Sequence, residues 1–214
     1  MEPKKIEIKV FLLSLAVLIL IETTAILSVS GIKISPVIVT GAVRLIEIAL
    51  IILIVMVCGQ GLSSIGLVPS KMVKGLIRGL FWSAGFGIIT FFAFIALFLV
   101  DINPFALIHT RLPGKIGEII LFFLVAGLIG PVAEEVLFRG VIYGFFRRWG
   151  VLAALILSSV IFVLAHSTLS TIPVPQIVGG IIFAIAYEKE GSLIVPITIH
   201  VLGNMAIFTL SLIY

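Results

Sequence analysis

Apolar residues run along this chain in stretches of about twenty, the length a helix needs to cross the hydrocarbon of a bilayer. The stretches cover roughly 8–30, 36–58, 75–100, 116–146, 150–168, 174–188 and 191–213. Polar or helix-breaking clusters separate them: Ser30-Gly31, GQGLSS after Cys58, DINP at 101–104, RLPGK at 111–115, RRWG at 147–150, TIPVP at 171–175 and EKEGS at 188–192. Lipid offers no water to a broken backbone, so each stretch should be helical. The pattern predicts an all-α, polytopic transmembrane bundle of about seven helices, seven or eight, with an intramembrane polar cavity. The fourth stretch is too long for one straight span. Gly127, Gly130 and Pro131 interrupt it. The proline frees the carbonyl of Gly127 and should bend the helix just ahead of Glu134 and Glu135.

Composition sharpens this picture. The chain has 214 residues, is 61% hydrophobic and only 11% charged, whereas a soluble domain is about a quarter charged. The first stretch is too long for a cleavable signal, and further spans follow it. No repeat, low-complexity segment or soluble domain is visible. The chain reads as one transmembrane domain, 1–214, with N-terminal spans in 1–115 and a core carrying the unusual polar residues in 116–214. The net charge of +4 makes no case for nucleic acid, because Lys and Arg sit at segment ends. Lys4, Lys5 and Lys9 precede the first span, Lys71, Lys74 and Arg78 lie between the second and third, and Arg147 and Arg148 follow the fourth. That alternation predicts a cell-membrane protein with a cytoplasmic N-terminus, although Arg111 and Lys115 fall on the other side. The single cysteine, Cys58, can form no internal disulfide and reads as a small core residue.

Charges inside the spans need a reason. Glu134, Glu135 and Arg139 facing lipid would together cost on the order of 8–10 kcal/mol, so they must face the bundle interior. Glu135 and Arg139, four apart, share a helix face and can pair. Glu134 lies about 100° round the helix and has no partner in its own segment. Such a carboxylate is either bonded by another helix or kept for chemistry. Candidate partners come from IFVLAHS, with Phe162 and His166 one turn apart, and from PITIHVLGN, with His200 and Asn204 one turn apart. Intramembrane histidines read as functional by default. Arg44 and Glu47, three apart, read as a self-compensating structural pair; Glu22 has no explanation, and His109, in a loop, has no role.

EEVLFR (134–139), FVLAH (162–166) and HVLGN (200–204), in that order, resemble the three motifs of the CPBP family of intramembrane proteases, which includes the type II CAAX prenyl endopeptidases and the abortive-infection proteins. The likeness covers about 130–204, and the loop SSIGLVPS also resembles the family. It implies that Glu134 is the general base for a water, that His166 orients that water, and that His200 and Asn204 stabilise the oxyanion. Glu135, Arg139 and Phe162 would be supports. These roles agree with what peptide hydrolysis in lipid requires: a base-held water and donors aimed at developing negative charge. No cofactor is favoured. Glu134, His166 and His200 are also the ligand types of a catalytic zinc site, the alternative version of the same protease. Against zinc stand the amide partner one turn after His200 and the lack of a His-Glu-x-x-His helix.

The implied partners are the bilayer and a membrane-anchored protein or lipidated peptide, of the prenylated CAAX type. The rival from another class is a proton-coupled transporter. Such folds show duplicated halves, whereas here the polar groups crowd the C-terminal half. Glu134 is about 20 Å along its helix from Arg147, and His166 about 24 Å from Gly150, near mid-membrane. The orientation is testable with single cysteines at 5 and 148 in a cysteine-free background. Membrane-impermeant thiol reagents should label both only after permeabilisation; labelling of intact cells would reverse the topology.

Overall fold

The computed structural model describes residues 6–29, 34–59, 61–167 and 173–213. The expected breaks at Ser30-Gly31, Gln60 and 171–172, and the basic Lys4 and Lys5, lie outside these residues. All regular structure among the described residues is helical. Seven long elements follow the apolar stretches: α1 (Ile8–Val29), α2 (Pro36–Cys58), α3 (Met72–Leu99), a continuous helical rod α4 (Ile116–Trp149), α5 (Val151–His166), α6 (Val174–Glu190) and α7 (Ile194–Ile213). Five of them, α1 to α4 and α7, are long and apolar enough to cross a membrane. The other two expected spans, α5 and α6, have only 16 and 17 described helical residues.

The rod does not simply kink at Pro131. Its α-helical part Gly130–Glu135 is flanked by two π-helical segments, Val125–Ile129 and Val136–Tyr143. Proline has no N–H to give, and the neighbouring Gly130 N–H reaches back to the carbonyl of Val125. Each π segment shifts the phase of the residues after it. Such insertions concentrate at functional sites, and these two bracket the glutamate pair.

The rod is also the axis of the bundle. Glu135 to Phe145 are buried without a break, as expected of a helix that is apolar nearly all round. Val136, Val141, Tyr143, Ala154, Phe162, Ala184 and Tyr187 form the centre of a core drawn from α4, α5 and α6. Near the rod's end, Ile6 N–H donates to Gly144 O, Arg148 donates to Ile6 O, and Arg147 grips Glu188 of α6 through two nitrogens. The SSIGLVPS loop closes the same end. Gly66, at φ +76°, accepts Leu193 N–H, and Ile65 lies fully buried against Gly140.

Helix α3 docks differently. Its buried residues are Gly75 and Gly79 alone; Trp82 and Phe86 pack, partly buried, against α6 and α7, and most of its other large side chains are exposed. A Cβ on Gly79 would meet Thr198 Cβ at 2.6 Å, and one on Gly75 would meet Ser192 Oγ at 2.7 Å. This small-xxx-small stripe lets two backbones approach where lipid gives no hydrophobic drive to associate. Gly79→Leu should lower the unfolding temperature in detergent and cost about 1–3 kcal/mol by overpacking. Gly87→Leu, which meets nothing within 4 Å, should leave it unchanged; equal effects would remove the stripe as the docking device.

Candidate active site

The site grows from one fully buried cation. Arg139 Nη1 donates to Glu135 Oε1 at 2.9 Å and Nη2 to the Gly180 carbonyl at 3.1 Å, with both side chains of the ion pair at 0% exposure. Its guanidinium lies 4.6 Å from the ring centre of Phe162 and 5.2 Å from that of Phe183, so the rings meet its faces while carboxylate and carbonyl meet its edge. His200 Nδ1 lies 2.8 Å from the same Glu135 oxygen, and Phe183 stacks on the His200 ring at 4.6 Å. Arg139 thus joins α4, α5, α6 and α7. The expected Glu135–Arg139 pair is present. The Glu135–His200 contact, which links the first motif to the third, was not foreseen.

Glu134 points to the other side of the rod. Its Oε2 is 3.4 Å from His166 Nε2 and 3.7 Å from His200 Nε2, so three of the four expected reacting groups meet at one carboxylate oxygen. Both rings have their Nδ1 atoms committed: His166 to the Phe162 carbonyl at 2.8 Å, His200 to Glu135. A nitrogen facing an acceptor carries the hydrogen, which leaves Nε2 of a neutral imidazole as a lone pair. Three acceptors then converge, and Glu134 Oε2 is buried with no hydrogen-bond partner among the described residues. Such a point calls for a proton-rich species.

Asn204 is one turn beyond His200, but its Nδ2 donates to the Ala126 carbonyl at 3.0 Å. One of its two N–H groups therefore holds the first π segment, and the second remains for another acceptor. Phe162, 2% exposed, packs on Phe138 and His166 as well as on Arg139. His109 lies at the end of a one-turn helix, Phe105–Ile108, outside the cavity described next.

A cavity of about 200 Å³ opens on Glu134 and His166, and its far wall comes from α1 and α2: Leu18, Glu22, Arg44, Glu47 and Ile51. Arg44 pairs with Glu47 and, at 3.0 Å, with Glu22, which accounts for the Glu22 left unexplained by sequence. The i,i+3 spacing made the Arg44–Glu47 pair visible; nothing in the sequence placed it beside Glu134. A larger groove of about 350 Å³, lined by Arg78, Trp82 and Phe86 among others, shares no residue with the site.

Zinc can be tested against these donors. Glu134, His166 and His200 are suitable types, and Nδ1 atoms held by a carbonyl and a carboxylate are what zinc-bound histidines have. Yet no group of three or more His, Cys, Asp or Glu among the described residues is arranged to hold a metal ion.

Comparison with known proteins agrees with the geometry. Residues 116–206 match the family described as type II CAAX prenyl endopeptidase, Rce1-like. The membrane-embedded CAAX protease MroQ of Staphylococcus aureus (strain USA300) is 39% identical over 94 residues, 41% of this chain and 38% of that protein. An uncharacterized 24.3 kDa protein of Escherichia coli is 33% identical over 92 residues, 40% of this chain and 42% of that one. The chain spans about two-fifths of the length of these curated relatives, and no solved structure gives a significant match. The matched segment holds the whole rod, both histidine motifs and the buried Arg139, and over that segment this chain is similar to the Rce1-like family of membrane proteases.

Proposed function

We propose that this protein is an intramembrane endopeptidase that cleaves near the C-terminus of a membrane-anchored substrate, of the prenylated CAAX type, with a glutamate-activated water. One observation carries the reading: His166 Nε2 and His200 Nε2 both lie within 4 Å of Glu134 Oε2, which has no hydrogen-bond partner among the described residues, and with neutral imidazoles all three atoms are acceptors. A water bridging them has its hydrogens directed at the carboxylate and an imidazole, and its oxygen lone pair free for attack.

The chemistry then runs through this chain's own atoms. Glu134 takes a proton from the water as the oxygen bonds to the scissile carbonyl carbon. The carbonyl π electrons move to oxygen, and the second N–H of Asn204 donates to that oxyanion. His200 assists when its Nε2 also carries a proton, with the Glu135 carboxylate against Nδ1 to balance the added charge. Glu134 passes its proton to the departing amine, the C–N bond breaks, and the carboxylate is restored. Glu135, Arg139 and Phe162 do not touch the reacting atoms; they fix the rotamers of His200 and His166. Exclusion of bulk water by the bundle strengthens each of these interactions. A cytoplasmic N-terminus, favoured by the basic residues gathered at the Arg147 end, belongs to the same proposal.

The reading is tested by incubating purified protein in detergent with a farnesylated CAAX peptide, with and without a strong chelator. Cleavage that survives the chelator is expected. Loss restored by zinc would turn Glu134, His166 and His200 into ligands, and no cleavage of this peptide would remove prenyl-type specificity. Asn204→Ala should lower turnover by about 10²–10³, more than loss of the Ala126 hydrogen bond alone explains. An unchanged rate would exclude Asn204 from the site.

A further inference from the structure

The cavity beside Glu134 carries a charge imbalance that the proposed hydrolysis does not use. Its wall holds three carboxylates, Glu22, Glu47 and Glu134, against one guanidinium, Arg44. Arg44 is taken by Glu22 and Glu47 on its two Nη atoms. The Glu135–Arg139 pair behind the wall compensates itself. With Glu134 set against His166 and His200, the Glu22 and Glu47 carboxylates exceed the single guanidinium by one, in a setting where an unpaired charge is costly.

Glu47 locates the deficit. It is 2% exposed, its Oε2 is held by Arg44, and its Oε1 has no hydrogen-bond partner among the described residues although the residue lines the cavity. A carboxylate oxygen buried in this way wants a donor, preferably a charged one. Glu22, with a side chain 39% exposed, stands at the more open part of the same wall. Leu18, Ile51, Leu137 and Phe138 line the space around these charges, suiting the aliphatic stem of a long basic side chain. A metal ion is a poor occupant, since no suitable ligand group is present among the described residues.

We propose that Glu22 and Glu47, both bonded to Arg44, form a subsite for a basic side chain of the peptide substrate, lysine or arginine, close to the bond that the Glu134-held water attacks. The ammonium or guanidinium donates to Glu47 Oε1 and Glu22 while its methylenes lie on the apolar wall. The subsite makes Glu47 a specificity-determining residue and brings α1 and α2 into substrate selection. It rests on the endopeptidase reading for its substrate, but not for its test.

The test uses three fluorescent versions of one farnesylated CAAX peptide, with lysine, norleucine or glutamate at a single upstream position that is moved stepwise. Binding to the Glu134→Gln protein in detergent is followed by anisotropy, so no hydrolysis is needed. At one position lysine should bind about 30-fold or more tighter than norleucine, the scale of a buried charge pair, and glutamate should bind worst. In Glu134→Gln/Glu47→Gln the lysine advantage should collapse, and Glu134→Gln/Glu22→Gln should reduce it while unfolding temperature is monitored. A structural defect alone would weaken all three peptides together. Equal binding of lysine and norleucine at every position overturns the subsite, as does tighter binding of glutamate, which would make Arg44 the recognising group. Wild-type protein that cleaves all versions equally would retain the endopeptidase reading and lose the subsite. Wild-type protein that cleaves none, with the lysine preference intact, would do the reverse.

Discussion

A guanidinium without water must be surrounded by acceptors, and in this bundle that requirement falls on Arg139. At 0% exposure its charge would cost several kcal/mol if left unpaired. Glu135, the Gly180 carbonyl and the faces of Phe162 and Phe183 meet it from three helices, and Glu135 in turn fixes His200 on a fourth. Once these groups are in place, the positions of both histidines relative to Glu134 are largely determined. Glu134 is then the one side chain of the cluster whose charge is not consumed by structure.

The two π segments make that division geometrically feasible. Adjacent residues on a helix point about 100° apart, so Glu134 and Glu135 face different neighbours whatever the local winding. The π turns on either side let the rod be buried all round from Glu135 to Phe145 and still present Glu134 to a cavity. Asn204 closes the arrangement by bonding the carbonyl of Ala126 within the first π segment, tying α7 to the irregular part of the rod.

Much of this was legible in the residues. Apolar stretches gave the helices closely, because length and composition alone decide what can lie in lipid. The Glu135–Arg139 pair followed from spacing within one helix. Three short motifs on separate helices pointed to Glu134, His166, His200 and Asn204, and folding brings the first three together and sets Asn204 on the Ala126 carbonyl. What stayed hidden depends on contacts between helices distant in sequence. Nothing local says that Glu135 also meets His200, that Arg44 and Glu22 open onto Glu134, or that Gly75 and Gly79 dock α3 on α7. The π segments were hidden too: Pro131 announced an irregularity, but its form depends on which carbonyls neighbouring side chains can satisfy.

The central claim is that two adjacent glutamates divide the work, Glu135 holding the bundle together and Glu134 acting on water. It is tested most directly by measuring thermal unfolding and peptide cleavage side by side for Glu134→Gln and Glu135→Gln in one detergent. The account predicts that Glu134→Gln unfolds like the wild type but does not cleave. Glu135→Gln should unfold at clearly lower temperature, since it leaves Arg139 uncompensated, and should keep some cleavage while folded. The opposite assignment, with a stable inactive Glu135→Gln and an unstable but active Glu134→Gln, would contradict it.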